Sequence, residues 1–426
     1  MKLSKQNIRF DLIVMSGLFA LALIVRLLFI FSSHGDVVTP DGALYGNIAT
    51  HLLQGEGFIQ DARSYPIVVP PFYPIFLALI YAIFGVGNST AVLVIQAILG
   101  ALTVVFVYET AKELFNRWAG LFAGLLFSIY SVSIYWTGFV LTETLFTFLV
   151  VVFTYVLARL LRSKATYWTA GLLGLIWGIT CLTRPHLLFF IPFLWVLLFI
   201  VQKRRGLKLA GISTLLLLMT IIPWIGYLYA EYGCVIPIAS HGGIALWCGN
   251  GPFVNPNRYY SSTRYANDPL FAAQLKEGMS LPLCEQDRFF RNIALRFIIS
   301  HPLRFVDNTY RKFILFAKPV NLRMKVFGIS VLDKITNTTD TWLLVLSLLG
   351  FIFSLFPKQN FKRNQTLLWL ILYYSLIVSV NIIVSQGRYR LPAMPLVAIY
   401  TGLATSQCIH GVSKVIEVLR AKMRRP

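Results

Sequence analysis

Polar residues fall in narrow bands along this chain, and apolar stretches of about 20 residues run between them. Such a stretch matches the hydrocarbon core of a bilayer, about 30 Å thick. Stretches long enough to cross lie at 10–32, 90–110, 118–138, 140–161, 167–184, 186–202, 208–230, 340–357, 365–385 and 391–410. Each is expected to be a helix, because a segment in lipid must satisfy its own backbone hydrogen bonds. The first is too long for a cleavable signal peptide, and no small-residue cleavage site follows it. The pattern predicts an all-α polytopic integral membrane protein with about ten transmembrane helices.

A further apolar stretch, 71–85, covers about 15 residues and is short for a crossing. The charges favour leaving it out of the count. With the N-terminus inside and 71–85 not spanning, the Lys112/Arg117, Arg162/Lys164, Lys203-Arg204-Arg205 and Lys358/Lys362/Arg363 loops all face the cytoplasm, and so does the basic C-terminal tail. That is the positive-inside arrangement, and an extra crossing breaks it. The stretch is therefore expected to be an extracytoplasmic juxtamembrane helix, a short true span being the alternative. The chain divides into an N-terminal transmembrane module, 1–230, with an outer loop at 33–89; a second outer loop, 231–338; and C-terminal helices with a basic tail, 339–426. One amphipathic helix is expected near 284–316, where Phe289, Ile293, Phe297 and Ile298 share a face. No internal repeat or linker is evident.

Composition supports this reading. The 426 residues are 57% hydrophobic and only 13% charged, about half the charge of a soluble domain. Disorder and an ordinary soluble fold are both excluded. The formal net charge of +21 reflects basic loops facing anionic lipid, not a nucleic-acid partner. The five cysteines show no metal-finger or redox spacing. Cys234, Cys248 and Cys284 fall on the outer side, where one disulfide can form and one thiol is left over. Spacing leaves the pairing open.

Ionisable residues at membrane depth are costly, and here they gather at the expected outer face. Asp41 follows the first helix in Thr-Pro-Asp-Gly; Pro-Asp-Gly also suits a plain turn. Glu143 opens a span, where the helix dipole alone favours an acid. Arg184 and His186 flank a proline between two spans; the arginine also fits snorkelling and the histidine a structural role. Arg388 and Arg390 stand at the mouth of the last span, where head-group anchoring is the simpler reading. Arg26 lies inside the first helix. Two carboxylates and three arginines from distant parts of the chain meeting on one face point to chemistry instead. A carboxylate serves as general base for an incoming nucleophile, and arginines clamp phosphate. A substrate with a lipid tail and a phosphate at the membrane surface needs both.

The order of short motifs resembles one family. Asp41-Gly42-x-x-Tyr45, Leu-Leu-x-Gly-x-Gly-Phe (Leu52 to Phe58) and Pro-Pro-x-Tyr-Pro (Pro70 to Pro74) resemble the first outer loop of GT-C glycosyltransferases. Thr142-Glu143, Leu-Trp-x-Gly-Asn (Leu246 to Asn250) and Arg-Tyr-Arg-Leu-Pro-x-x-Pro (Arg388 to Pro395) extend the likeness over most of the chain. Family 39 and its bacterial aminoarabinose and galacturonosyl transferase relatives are the nearest branch. The resemblance implies a polyprenyl-phosphate-sugar donor and a lipid, glycan or protein acceptor, with transfer at the outer face of the inner membrane. It makes Asp41 the base and Glu143 the second acid of the site. Tyr45, Arg184, His186, Arg388 and Arg390 become the substrate-binding candidates. Eukaryotic protein mannosyltransferases carry Asp-Glu where this chain has Asp41-Gly42, which favours the bacterial branch. No large soluble domain follows the last helix, so an oligosaccharyltransferase is not expected. A divalent metal is compatible with His34, Asp36, Asp41, His51 and Glu56, but their spacing is not diagnostic and no metal is assigned. The rival readings are a transporter or lipid flippase, and a lipid-linked polymer ligase or polymerase. Nearly uncharged span interiors count against transport.

Overall fold

A computed structural model describes residues 5–32, 38–59, 68–161, 166–254, 268–318, 324–326, 329–331, 333–355, 370–378, 380 and 387–423. Among these the chain is helical throughout, apart from a two-stranded antiparallel ribbon, β1 (Met324–Val326) with β2 (Ile329–Val331). Among the described residues the ribbon is the only departure from the all-α expectation.

The first half forms α1 (Lys5–Ser32), α2 (Pro40–Gln54), α3 (Phe72–Phe84), α4 (Ser89–Leu114), α5 (Arg117–Ser128), α6 (Ser131–Thr137), α7 (Thr142–Leu160) and α8 (Tyr167–Thr183). A 3-10 turn at Pro185–Phe190 leads into α9 (Ile191–Tyr232). Then come α10 (Gly242–Asn250), α11 (Pro269–Met279), α12 (Leu283–Ser300), α13 (Pro302–Ala317), α14 (Asp333–Ser354), α15 (Gly387–Arg390) and α16 (Met394–Met423). Residues 370–378 are also helical; the rest of the span expected at 365–385 lies largely outside the described residues.

The apolar stretches and the helices coincide closely. By length and apolarity, Ile8–Ser32, Ser89–Leu114, Thr142–Leu160 and Pro185–Tyr232 each suffice to cross a membrane. Two spans are less regular. At 42 residues, α9 is too long for one crossing, and it breaks at Lys203, whose φ of 56° is the only positive value among the described non-glycine residues. The break falls in the Lys203-Arg204-Arg205 run, so α9 is two antiparallel spans, as the charge band predicts. The span expected at 118–138 is α5 and α6, bent by 53°. Arg26 sits against this bend, fully buried, and donates to the Ser128 carbonyl at 3.3 Å and Ser133 Oγ at 3.0 Å. It supplies partners for backbone that the bend frees.

Helices approach closely through small residues, as expected where lipid offers no hydrophobic drive for association. A Cβ on Gly174 would stand 2.3 Å from the Ser213 carbonyl oxygen, and one on Gly402 the same distance from that of Ala119. The 13-residue α3 is about 20 Å long, short of the bilayer core, and packs on α2 and α4. The helix expected at 284–316 is two helices, because Pro302 cannot continue the first. On α12 the fully buried stripe is Leu283, Gln286, Phe290 and Ala294, while Phe289 and Ile293 are half-buried beside it. Cys234 and Cys284 are bonded, tying the end of α9 to the start of α12; Cys248 is free.

Candidate active site

Charged clusters stand at the two ends of the bundle. At the end where α1 begins, buried Asp11 accepts from Tyr108 Oη at 2.8 Å and pairs with Lys112 and Arg117. The candidate site lies at the other end, where α1 finishes, α2, α7 and α15 begin, and α8 finishes.

Thr39 caps α2: its extended backbone turns the chain and its Oγ1 accepts from the Gly42 amide at 3.1 Å. Pro40 then occupies the first helical position, where its missing N–H costs nothing. The tripeptide that suits a turn therefore opens a helix, with Asp41 in the first turn, where the dipole favours an acid. Gly42 lets that turn press on the strand of backbone before α7, since a Cβ there would lie 2.5 Å from the Val140 carbonyl oxygen. Leu141 is extended, and α7 starts with Thr142 and Glu143.

Four of the seven residues singled out from sequence form one network. Glu143 is wholly buried and accepts from both Arg184 and Arg388 on a single oxygen, Oε1. Arg388 also donates from Nη2 to Asp41 Oδ2 at 3.0 Å. Arg184, which ends α8 in an extended conformation before Pro185, donates from Nε to Thr142 Oγ1 at 2.7 Å. The four charges balance, two acids against two arginines. Burial opposes the charge of Arg388, but Glu143 and Asp41 outweigh it and hold its pKa above the usual arginine range. Asp41 keeps 35% of its side chain exposed, whereas Glu143 keeps none. The first is reachable from outside the protein and the second is enclosed.

Tyr45 lies one helical turn after Asp41, against Tyr73 with ring centroids 5.2 Å apart, and burial pushes its pKa up to about 12. His186 packs between Phe146 and Tyr374, with centroids 5.8 and 5.7 Å away. The buried atoms Arg184 Nη1, His186 Nδ1 and Tyr374 Oη have no hydrogen-bond partner among the described residues. Buried polar groups are otherwise almost always paired, so three around one phenyl ring suit a polar ligand or water. Arg390 lies apart from the network. It is 2% exposed and bonds Asp340, with Tyr130 on that acid's other oxygen. Sequence reasoning passed over Asp340, although it opens an apolar stretch just as Glu143 does.

Of the metal-ligand candidates, His34 and Asp36 lie outside the described residues. His51 pairs with Glu56, and Asp41 with Arg388. No group of three or more His, Cys, Asp or Glu suited to a metal occurs among the described residues. The Arg388 guanidinium itself bridges Asp41 and Glu143.

Residues 68–227 match the family model of dolichyl-phosphate-mannose-protein mannosyltransferases. Over 206 residues the chain is 28% identical to the undecaprenyl phosphate-alpha-4-amino-4-deoxy-L-arabinose arabinosyl transferase of Pseudomonas aeruginosa, covering 45% of this chain and 36% of that protein. Its structure is similar to the archaeal oligosaccharyltransferase AglB from Archaeoglobus fulgidus, solved with an inhibitory peptide and a dolichol-phosphate. The TM-score is 0.59 at 15% identity, over 98% of this chain and 52% of that one. The apo form of the Archaeoglobus fulgidus enzyme gives 0.55 at 16% identity, over 96% and 52%. The chain shares the fold of the Archaeoglobus fulgidus enzyme over nearly all of its length. The chain spans about a third of the curated relative's length and about half of the archaeal enzyme's. Within this fold the Asp41–Arg388–Glu143–Arg184 network lies at the convergence of α2, α7, α8 and α15, near where α1 ends.

Proposed function

We propose that the protein transfers a sugar from a polyprenyl-phosphate carrier to a lipid, glycan or protein acceptor, with inversion, at the outer face of a bacterial inner membrane. The observation that carries this reading is Arg388 joining Asp41 and Glu143, residues 347 and 245 positions away in the chain. Convergence over such distances is hard to reconcile with separate snorkelling or capping roles.

In this reading Asp41 takes the proton of the acceptor hydroxyl or amine. The acceptor attacks C1 of the sugar as the bond to the carrier's phosphate breaks, and the phosphate leaves with the electron pair. One in-line displacement inverts the anomeric centre. Arg388 and the unpartnered Arg184 N–H stabilise the charge that builds on the departing phosphate. Glu143 holds both guanidiniums in place. The similarity to a transferase named for undecaprenyl phosphate supports a carrier of that class. The outer-face assignment is supported by the basic Lys112/Arg117 and Lys203–Arg205 corners lying at the opposite end of the bundle.

The test is transfer from labelled undecaprenyl-phosphate sugars by the full chain in lipid nanodiscs. Asp41→Asn is expected to lose at least about a hundredfold in turnover while accumulating normally, since general base catalysis contributes that much. Arg388→Ala is expected to raise the donor KM. Wild-type turnover in Asp41→Asn removes Asp41 from the chemistry. Net movement of label across vesicles without transfer would favour a flippase.

A further inference from the structure

We infer that Tyr130, Asp340 and Arg390 form a buried latch whose function is to position Arg388 between the two carboxylates; the inference rests on the catalytic reading above. Arg388 and Arg390 both belong to α15, a single turn of four residues. It continues through a 3-10 turn, Leu391–Ala393, into α16, which fixes its path on that side, and side-chain contacts fix which way the turn faces. Positions i and i+2 of a helix point to opposite sides. Arg388 thus reaches Asp41 and Glu143 while Arg390 reaches the other way.

Arg390 is anchored at three points. Nη2 pairs with Asp340 Oδ2, and Nη1 donates to the carbonyls of Phe316 at 3.3 Å and Lys318 at 2.7 Å. Those carbonyls end α13, so the guanidinium caps that helix where its dipole favours a cation. The other Asp340 oxygen accepts from Tyr130 Oη at 2.8 Å. Tyr130 in turn stands at the α5–α6 bend, the bend that Arg26 pins from its far side through Ser128 and Ser133. All three latch residues are at most 2% exposed, so their bonds act in low dielectric, where geometry is enforced most strongly. The route from bend to acid to Arg390 ends two residues from the guanidinium that bridges the site. The second outer loop joins it through the end of α13.

A purely structural ion pair and a positioning latch differ in one measurable respect. The latch matters only while there is an Arg388 to position. The experiment is a double-mutant cycle on the full chain in nanodiscs, with Tyr130→Phe and Asp340→Asn each made alone and with Arg388→Lys. Turnover, donor KM, thermal midpoint and binding of undecaprenyl phosphate are read for every variant. Tyr130→Phe is expected to lower turnover about tenfold in the wild-type background, a loss of the size that small misplacement produces. In the Arg388→Lys background the same change is expected to cost less than about twofold. Equal losses in both backgrounds, or none in the wild type, overturn the latch. Should Asp340→Asn fail to accumulate, Tyr130→Phe, which removes one hydroxyl, carries the cycle. If the wild type turns over no lipid-linked sugar, the catalytic reading fails on its own. The cycle is then read on undecaprenyl-phosphate binding, where Tyr130→Phe weakens binding only when Arg388 is present. Equal weakening in both backgrounds, or no wild-type binding, rejects the latch.

Discussion

Gly42 and Val140 show how little slack the site has. The first turn of α2 rests on the backbone just ahead of Glu143, with no space for a methyl group. Gly42→Ala gains helix propensity of about 1 kcal/mol and meets an overpacking cost of about 1–3 kcal/mol. The net effect on folding is small, but α2 is displaced and Asp41 with it. We expect a thermal midpoint within a few degrees of wild type and a turnover reduced about tenfold or more. Unchanged turnover would show that the Asp41–Arg388 contact tolerates movement. The identities of Asp41, Glu143, Arg184 and Arg388 were legible in the sequence, because charge at an apolar boundary has a cost that is plain without coordinates. The direction in which Arg390 points was not. Its partner Asp340 lies 50 residues away, and nothing in the local pattern distinguishes an arginine facing substrate from one facing a buried acid.

Helix α13 has its faces exchanged relative to a helix in water. Leu303, Val306 and Tyr310 are 85%, 61% and 62% exposed, while Asn308 and Lys312 are buried. Asn308 donates to the Gly249 carbonyl at 2.9 Å, and Lys312 Nζ donates to Asn250 Oδ1 at 3.1 Å. The polar side therefore docks on the Leu246–Asn250 segment, and the apolar side suits the bilayer surface. Burial lowers the pKa of Lys312 from 10.5 to about 7. Between those values the unfolded chain carries a proton that the folded chain lacks, so the unfolded state binds more protons. Stability then rises with pH from about 7 to about 10.5 through this group and is flat below 7. Thermal midpoints of wild type and Lys312→Met across that range are expected to differ in slope, with the variant flatter. Parallel curves would remove Lys312 as the cause. At this scale the apolar runs and the Lys203 corner were readable, since length and charge bands are direct consequences of the bilayer. The break at Pro302 was missed because an apolar periodicity was carried across it. The α5–α6 bend had no sequence signal at all: no proline or glycine stands at Ile129-Tyr130, and the buried Arg26 that meets it comes from another helix.

Across the whole molecule, the basic corners gather at one end of the bundle and the balanced quartet of the site at the other. That polarity follows from the alternation of charge and apolar length along the chain, which is why the two ends of the bundle could be told apart from sequence. The cysteine pairing was not, because the three thiols of 231–338 allow three single bridges, and it is the approach of the start of α12 to the end of α9 that selects Cys234 and Cys284. The bond closes a loop across a separation of 50 residues. Closing a loop of that size is worth about 4 kcal/mol in the chain-entropy account. Cys234→Ser is expected to lower the thermal midpoint, and dithiothreitol to lower it for the wild type only. An equal response of both to reductant would place the stabilisation elsewhere. On the proposed orientation, the same bridge records how the chain was threaded during biogenesis. Thiols delivered to the reducing side would stay apart, so a molecule inserted upside down is left unstapled, and a gel shift after alkylation separates correctly oriented copies from inverted ones.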